Sequence, residues 1–151
     1  MVFRMRRIVT GHDKAGKAVV ASDDYVDSAP GRIDKNITAA DIWWTHSVPA
    51  DVHGHDATRE PSPGMPGPNG TLLKILELPP GAKPLMHRTE TLDYVIVIEG
   101  QLVMLLDDGA EAHMKAGDVM IQRGTLHGWA NRSDKPCRIA FVLVAASVTG
   151  K

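Results

Sequence analysis

Two imidazoles, a hydroxyl and a carboxylate stand where they could act together: His87, Thr89, Asp93 and His127. An imidazole can take or give a proton near neutral pH, and a carboxylate can orient it or bind a polar group of a substrate. Two imidazoles and one carboxylate are also a ligand set that holds non-haem iron with positions left open. In GAKPLMHRTETLDYVIVIEG, residues 81–100, His87 and Thr89 lie two apart and share a face of an extended chain. A turn through Glu90 to Leu92 brings Asp93 back on the next strand. If Asp93 points inward, Val95 and Val97 do too, while Tyr94, Ile96 and Ile98 pack on the other side. Further on, GDVMIQRGTLHGWAN puts His127 after a glycine turn, with Trp129 on the same face.

The elements that must position these groups are short apolar runs divided by Gly, Pro and Asp. From Thr71 the chain reads TLLKILELP, the His87 segment, DYVIVIEG, QLVMLLDDG, AEAHMKAG, DVMIQRG, HGWANRSD and CRIAFVLVAA. Regular short segments without a helical period predict an all-β sandwich or barrel. Asp107-Asp108-Gly109 predicts a hairpin and Pro79-Pro80-Gly81 a turn. Before Thr71, RIVTGHD and KAVVASDD flank a Lys-Ala-Gly turn and predict an N-terminal hairpin. DIWWTHSVP reads as a strand closed by Pro49, and helix is expected only in a turn near Ile37 to Asp41. Residues 51–70 contain four prolines and four glycines and predict a long loop. The division expected is 1–70, strands and loop packed on the barrel, and 71–151, the barrel itself, within one domain.

A chain of 151 residues suits one domain. Its net charge of −1 argues against a nucleic-acid partner. The basic RMRR at residues 4–7 reads as a solvated strand start, since Asp23, Asp24 and Asp27 follow closely. One cysteine, Cys137, precludes an intramolecular disulfide and reads as a small core residue. No signal-like or membrane-length apolar stretch is present, so the expected setting is cytoplasmic, away from membranes.

At the residues first named, the sequence resembles the cupin family. Gly81, His87, Thr89, Asp93 and Gly100 keep every interval of the family's first motif, Gly-x5-His-x-His-x3,4-Glu-x6-Gly. Gly117, Arg123, Gly124, His127 and Asn131 follow the second motif, with Arg123 at the proline position and one residue missing before Gly124. The resemblance spans residues 81–131, and the apolar rhythm extends it from about Thr71 to Ala146. It implies a jelly-roll barrel with one ligand inside. It also implies a divalent transition metal (Fe, Ni, Zn or Mn) on His87, Asp93 and His127. Two departures bear on that metal. Thr89 replaces a histidine ligand, and Asp93 is shorter than Glu by one methylene, roughly 1.5 Å. A metal-free site, with His87 and Asp93 as a hydrogen-bonded pair, is the other reading, and Glu90 is an alternative carboxylate.

Trp129, Arg123 and Trp44 join Thr89 as expected substrate contacts: Trp129 by its face, Arg123 as a carboxylate partner, Trp44 as a pocket floor or dimer contact. Trp43 and Trp44 point opposite ways, so one of them belongs in the core. His53 and His55 read as solvated loop histidines, with a lid over the barrel mouth as their functional alternative. The function expected is a small-molecule cupin enzyme performing proton transfer next to a carbonyl: a decarboxylase, dehydratase or isomerase using His87, Asp93 and His127. The alternatives are a non-haem Fe(II) dioxygenase on the same three residues and a non-catalytic ligand-binding or sensor cupin. A homodimer is expected, with the N-terminal hairpin pairing across a two-fold or covering a sheet face.

Overall fold

A computed structural model describes residues 2–147, which form eleven strands and two short 3-10 turns. The strands are β1 (Arg4–His12), β2 (Ala18–Asp27), β3 (Ala29–Pro30), β4 (Thr38–Thr45), β5 (Thr71–Leu78) and β6 (Thr91–Glu99). They continue as β7 (Gln101–Leu105), β8 (Glu111–Lys115), β9 (Val119–Arg123), β10 (Gly128–Ala130) and β11 (Cys137–Ala145). Two sheets face each other: six strands in the order β3-β4-β5-β11-β6-β9, and three in the order β10-β7-β8. This is the all-β jelly-roll barrel expected. The alternation that predicted it is visible in β11, where Cys137, Ile139, Phe141 and Leu143 are buried and the residues between them are not.

The inward faces build the core from Leu72, Leu78, Val95, Val97, Leu102, Trp129, Ile139 and Phe141. Each fully buried aliphatic or aromatic side chain of this kind contributes about 1.5–3 kcal/mol. Asp93, Val95 and Val97 do share the inward face of β6. Their outward neighbours Tyr94, Ile96 and Ile98 do not pack as expected but lie 41–45% exposed. Cys137 is fully buried, in its expected core role.

The turns follow the residues that permit them. Gly100 joins β6 to β7 at φ 84°, and a Cβ there would come within 2.5 Å of the Pro136 carbonyl oxygen. Only glycine fits that turn. Asp107–Gly109 closes β7 on β8 as a 3-10 turn in which Asp108 and Gly109 both have positive φ.

The N-terminal hairpin forms from β1 and β2 and covers a sheet face. Phe3, Met5 and Val26 pack against Ala40, Ile42, Ile75 and Ala140. The basic cluster is paired along this hairpin, Arg4 to Asp27, Arg6 to Asp23 and Arg7 to Asp24. Arg7 also donates to the Ile42 carbonyl at 3.0 Å and so ties the hairpin to β4.

Two local expectations are corrected. Residues 37–41 hold no helix; Thr38 to Asp41 open strand β4. Ala39, Ala40 and Asp41 permit a helical turn, but β5 offers this segment a ladder from Thr38↔Glu77 to Thr45↔Thr71, broken only by a register shift between Asp41 and Trp43. The β-branched and aromatic residues around them favour the extended chain as well. Residues before 71 also divide differently from the expected boundary. Strands β3 and β4 belong to the six-stranded sheet itself, and only β1 and β2 lie on it.

Candidate functional site

One mouth of the barrel holds a cavity of about 170 Å³. Its wall is largely apolar, with Ala39, Leu76, Leu85, Trp129, Phe141 and Leu143 among its residues, and His87, Thr89, Asp93 and His127 supply polar groups. The four residues of the opening argument therefore meet at one place, and Trp129 joins them. Trp44 does not: it faces Leu72 in the core, 4% exposed, away from this wall. Arg123 is exposed at the end of β9 and also stands outside the cavity lining.

The two histidines are brought together by backbone. His87 lies outside any named strand, yet its N–H donates to the His127 carbonyl at 2.8 Å and the His127 N–H donates back at 2.9 Å. Gly124, at φ 62°, makes the turn that lets the chain leave β9 and present His127. The ring centroids of His87 and His127 are 4.5 Å apart, and His127, Trp129 and Phe141 continue as an edge-to-face row.

Each imidazole is locked in one tautomer. The Nδ1 of His87 is 2.8 Å from the Leu85 carbonyl, and the Nδ1 of His127 is 2.8 Å from the Thr125 carbonyl. A carbonyl can only accept, so Nδ1 carries the hydrogen in both rings and the neutral Nε2 keeps its lone pair. Burial pushes the His127 imidazole below its ordinary value, and the neighbouring His87 adds to this; the bond to Thr125 and the charge of Asp93 oppose it.

Asp93 does not pair with His87, whose Nδ1 is already engaged. Its Oδ2 instead accepts from Gln122 Nε2 at 2.9 Å, while Oδ1 is buried with no partner. Gln122 Oε1 in turn accepts from the Thr125 N–H at 2.6 Å and the Thr125 hydroxyl at 3.0 Å. Gln122, 1% exposed, thus joins the carboxylate to the turn that orients His127. The sequence sets Gln122 beside the second motif, but its alternation in β9 could have flagged it as inward: Met120 and Gln122 are the more buried positions there.

The implied metal can be tested on these donors. Their types fit: two imidazole nitrogens and an unpartnered carboxylate oxygen. Their placement does not, because the donors of His87, Asp93 and His127 are not gathered within 4.8 Å of one another. Among the described residues, the group that meets this spacing is His46, His55 and Glu60, outside the barrel. His55 is accordingly not the solvated loop histidine expected; it is half-buried against the rings of Trp43 and His46.

The 51–70 loop reaches the cavity through Gly64 and Met65. It is tied there by Arg32, which donates to the carbonyls of Ser62 and Pro63. Lys74 donates to the Gly64 carbonyl at 2.9 Å and pairs with Asp41 at 3.4 Å. Lys74 has a legible signal, as a charge at an inward position of TLLKILEL between Leu72 and Leu76.

Known proteins resemble this chain over most of its length. A family model described as a cupin domain matches residues 74–144. A cupin-domain-containing oxidoreductase, fogC, of Aspergillus ruber is 35% identical over 147 residues, covering 93% of this chain and 72% of that protein. Phomopsin biosynthesis cluster protein C' of Diaporthe leptostromiformis is 33% identical over 150 residues, covering 93% and 78%. Among solved structures, the cupin domain of Schizosaccharomyces pombe Cnp3 superposes with a TM-score of 0.58 at 14% identity, covering 93% of this chain and 87% of that one. That structural likeness concerns the fold alone.

Proposed function

The chain belongs to the cupin family, and we propose that it is a small-molecule enzyme that moves a proton next to a carbonyl group within the barrel mouth. The observation that carries this reading is the pair of locked imidazoles. Both turn their hydrogen-bearing Nδ1 to backbone, which leaves two basic Nε2 atoms without a hydrogen-bond partner among the described residues, beside an apolar cavity. His127, kept neutral by burial, removes the proton from the carbon. The imidazolium so formed at His127 holds that proton on Nε2 and can hand it to the enolate oxygen, while His87 Nε2 accepts a hydrogen bond from a substrate hydroxyl. Return of the proton at another carbon gives isomerisation, and departure of a neighbouring group with its bonding electrons gives elimination. In a decarboxylation the departing CO2 itself leaves the enolate, and a protonated imidazole would supply the proton to its carbon. Asp93 Oδ1 and the Thr89 hydroxyl would hold a substrate hydroxyl or N–H, while Trp129 packs against its apolar part.

A second reading has its own support. The relatives described as oxidoreductases, together with the unpartnered Asp93 Oδ1, favour redox chemistry with His87, Asp93 and His127 around a metal such as Fe(II). No step is derived through that ion, since the three donors are not gathered. A panel of small carbonyl compounds in D₂O, followed by NMR, separates the two. Deuterium should enter beside the carbonyl with wild-type protein in chelator and not with His127→Ala. Turnover that requires both added Fe(II) and dioxygen would overturn the proton-transfer reading. Under the redox reading, Thr89→His should restore a nitrogen ligand and raise metal affinity.

We also propose that the chain is a homodimer. Tyr94, Ile96, Val119 and Ile121, all 41–63% exposed, form an apolar stripe on β6 and the edge strand β9. A second copy would cover both the stripe and the open edge.

A further inference from the structure

The cluster outside the barrel has the composition and spacing of an ion site, and we propose that His46, His55 and Glu60 bind a divalent transition-metal ion, Zn²⁺ suiting the set best. Two imidazoles and one carboxylate are ligands that Zn²⁺ takes with a fourth position left to water. Donors about 2.0–2.2 Å from a tetrahedral ion stand roughly 3.3–3.5 Å from each other. Here Glu60 Oε2 is 3.1 Å from His46 Nε2, and Glu60 Oε1 is 3.4 Å from His55 Nδ1. One ligand atom from each residue lies within 4.8 Å of the others. The two rings meet edge to face with centroids 4.3 Å apart.

The site is built rather than accidental. His46 is the first residue beyond β4, so the sheet fixes it. The other two ligands come from a segment pinned by its own aspartates. Asp51 accepts the N–H groups of His53 and Gly54, each at 3.0 Å. Asp56 caps the 3-10 turn Ala57–Arg59 by accepting the Thr58 N–H at 2.9 Å. His55 sits between these two turns and Glu60 follows the second.

One buried polar atom at the cluster, His55 Nε2, has no hydrogen-bond partner. The side chains of His46 and Glu60 are 60% and 45% exposed, which gives an aqueous ion a way in. An ion here would tie the start of the 51–70 loop to the end of β4. The same loop supplies Gly64 and Met65 to the cavity, so the ion would steady that rim from outside the barrel.

The test uses the full chain with any affinity tag removed and its metals stripped by chelator and dialysis. Co²⁺ is titrated by the visible absorption of its tetrahedral form, and Zn²⁺ by competition. Wild-type protein should bind an equivalent that is weakened about a hundredfold or more by His46→Gln and by Glu60→Gln. His127→Gln should leave it unchanged. Zn²⁺ should also raise the unfolding temperature of the wild type and not of Glu60→Gln. Both altered side chains are exposed, and far-ultraviolet circular dichroism verifies that the variants fold. Absence of Co²⁺ binding up to 1 mM would overturn the proposal. So would binding that survives Glu60→Gln and disappears in His127→Gln, which would place the ion in the barrel.

Discussion

Replacing Gln122 by Met tests whether the barrel carboxylate and the His127 turn are one network. Met matches Gln in length but offers no hydrogen bond, and position 122 is 1% exposed. Three bonds are lost: one to the Asp93 carboxylate and two from Thr125. The charged bond contributes about 2 kcal/mol and a neutral one about 1 kcal/mol. Thr125 is exposed, so water can replace part of its loss, which leaves a total near ~3 kcal/mol. In a domain of this size that should lower the unfolding temperature by about 6–12 °C, measured by calorimetry with the slope of urea unfolding unchanged. A second readout follows from the Thr125 carbonyl, which holds His127 in its Nδ1–H tautomer. Freed of Gln122, that turn loosens, and the ¹⁵N shifts of His127 should move towards a mixture of tautomers. Gln122→Glu gives the control of charge. Two carboxylates would then stand about 2.9 Å apart and would retain a proton that the unfolded chain releases near pH 4, so stability should fall as the pH rises from there. If Gln122→Met costs less than about 0.5 kcal/mol, as an ordinary surface change does, and His127 keeps its tautomer, the network reasoning is wrong.

Other outcomes follow from the same geometry. Because burial lowers the folded-state value of His127 from 6.5, the unfolded chain binds the extra proton first. Stability from this residue is complete above about pH 6.5 and declines as the pH falls below it, and His127→Gln should flatten that acid-side loss in urea titrations. Burial pushes the Cys137 thiol up to about 11. Its reaction with a thiol reagent at pH 8 should therefore follow the rate of unfolding, and rapid labelling of folded protein would contradict the fold. Light scattering should give a dimer at micromolar concentration, and Ile96→Lys with Ile121→Lys should give a folded monomer. A wild type that is monomeric throughout would remove the proposed interface.

The local part of this protein is written in the chain. Alternation of period two in β6 and β11, and glycines at turns that need positive φ, depend only on neighbours in sequence. They were enough to read an all-β sandwich or barrel, the hairpin and the shared face of Asp93, Val95 and Val97, while the resemblance to the cupin motifs was what put His87 and His127 in one site. Helix near Ile37 was misread because Ala39 to Asp41 tolerate either conformation, and the choice lay with β5, thirty-odd residues away. What tertiary structure decided is which polar atoms find each other. Asp93 could have turned to His87, but the Leu85 carbonyl already held that ring, so the carboxylate went to Gln122 on the neighbouring strand. His46, His55 and Glu60 carry no motif at all. They converge because a sheet end and a loop pinned by two aspartates happen to close on one point, a fact of packing at distances of 3 to 4 Å that no one-dimensional spacing can express.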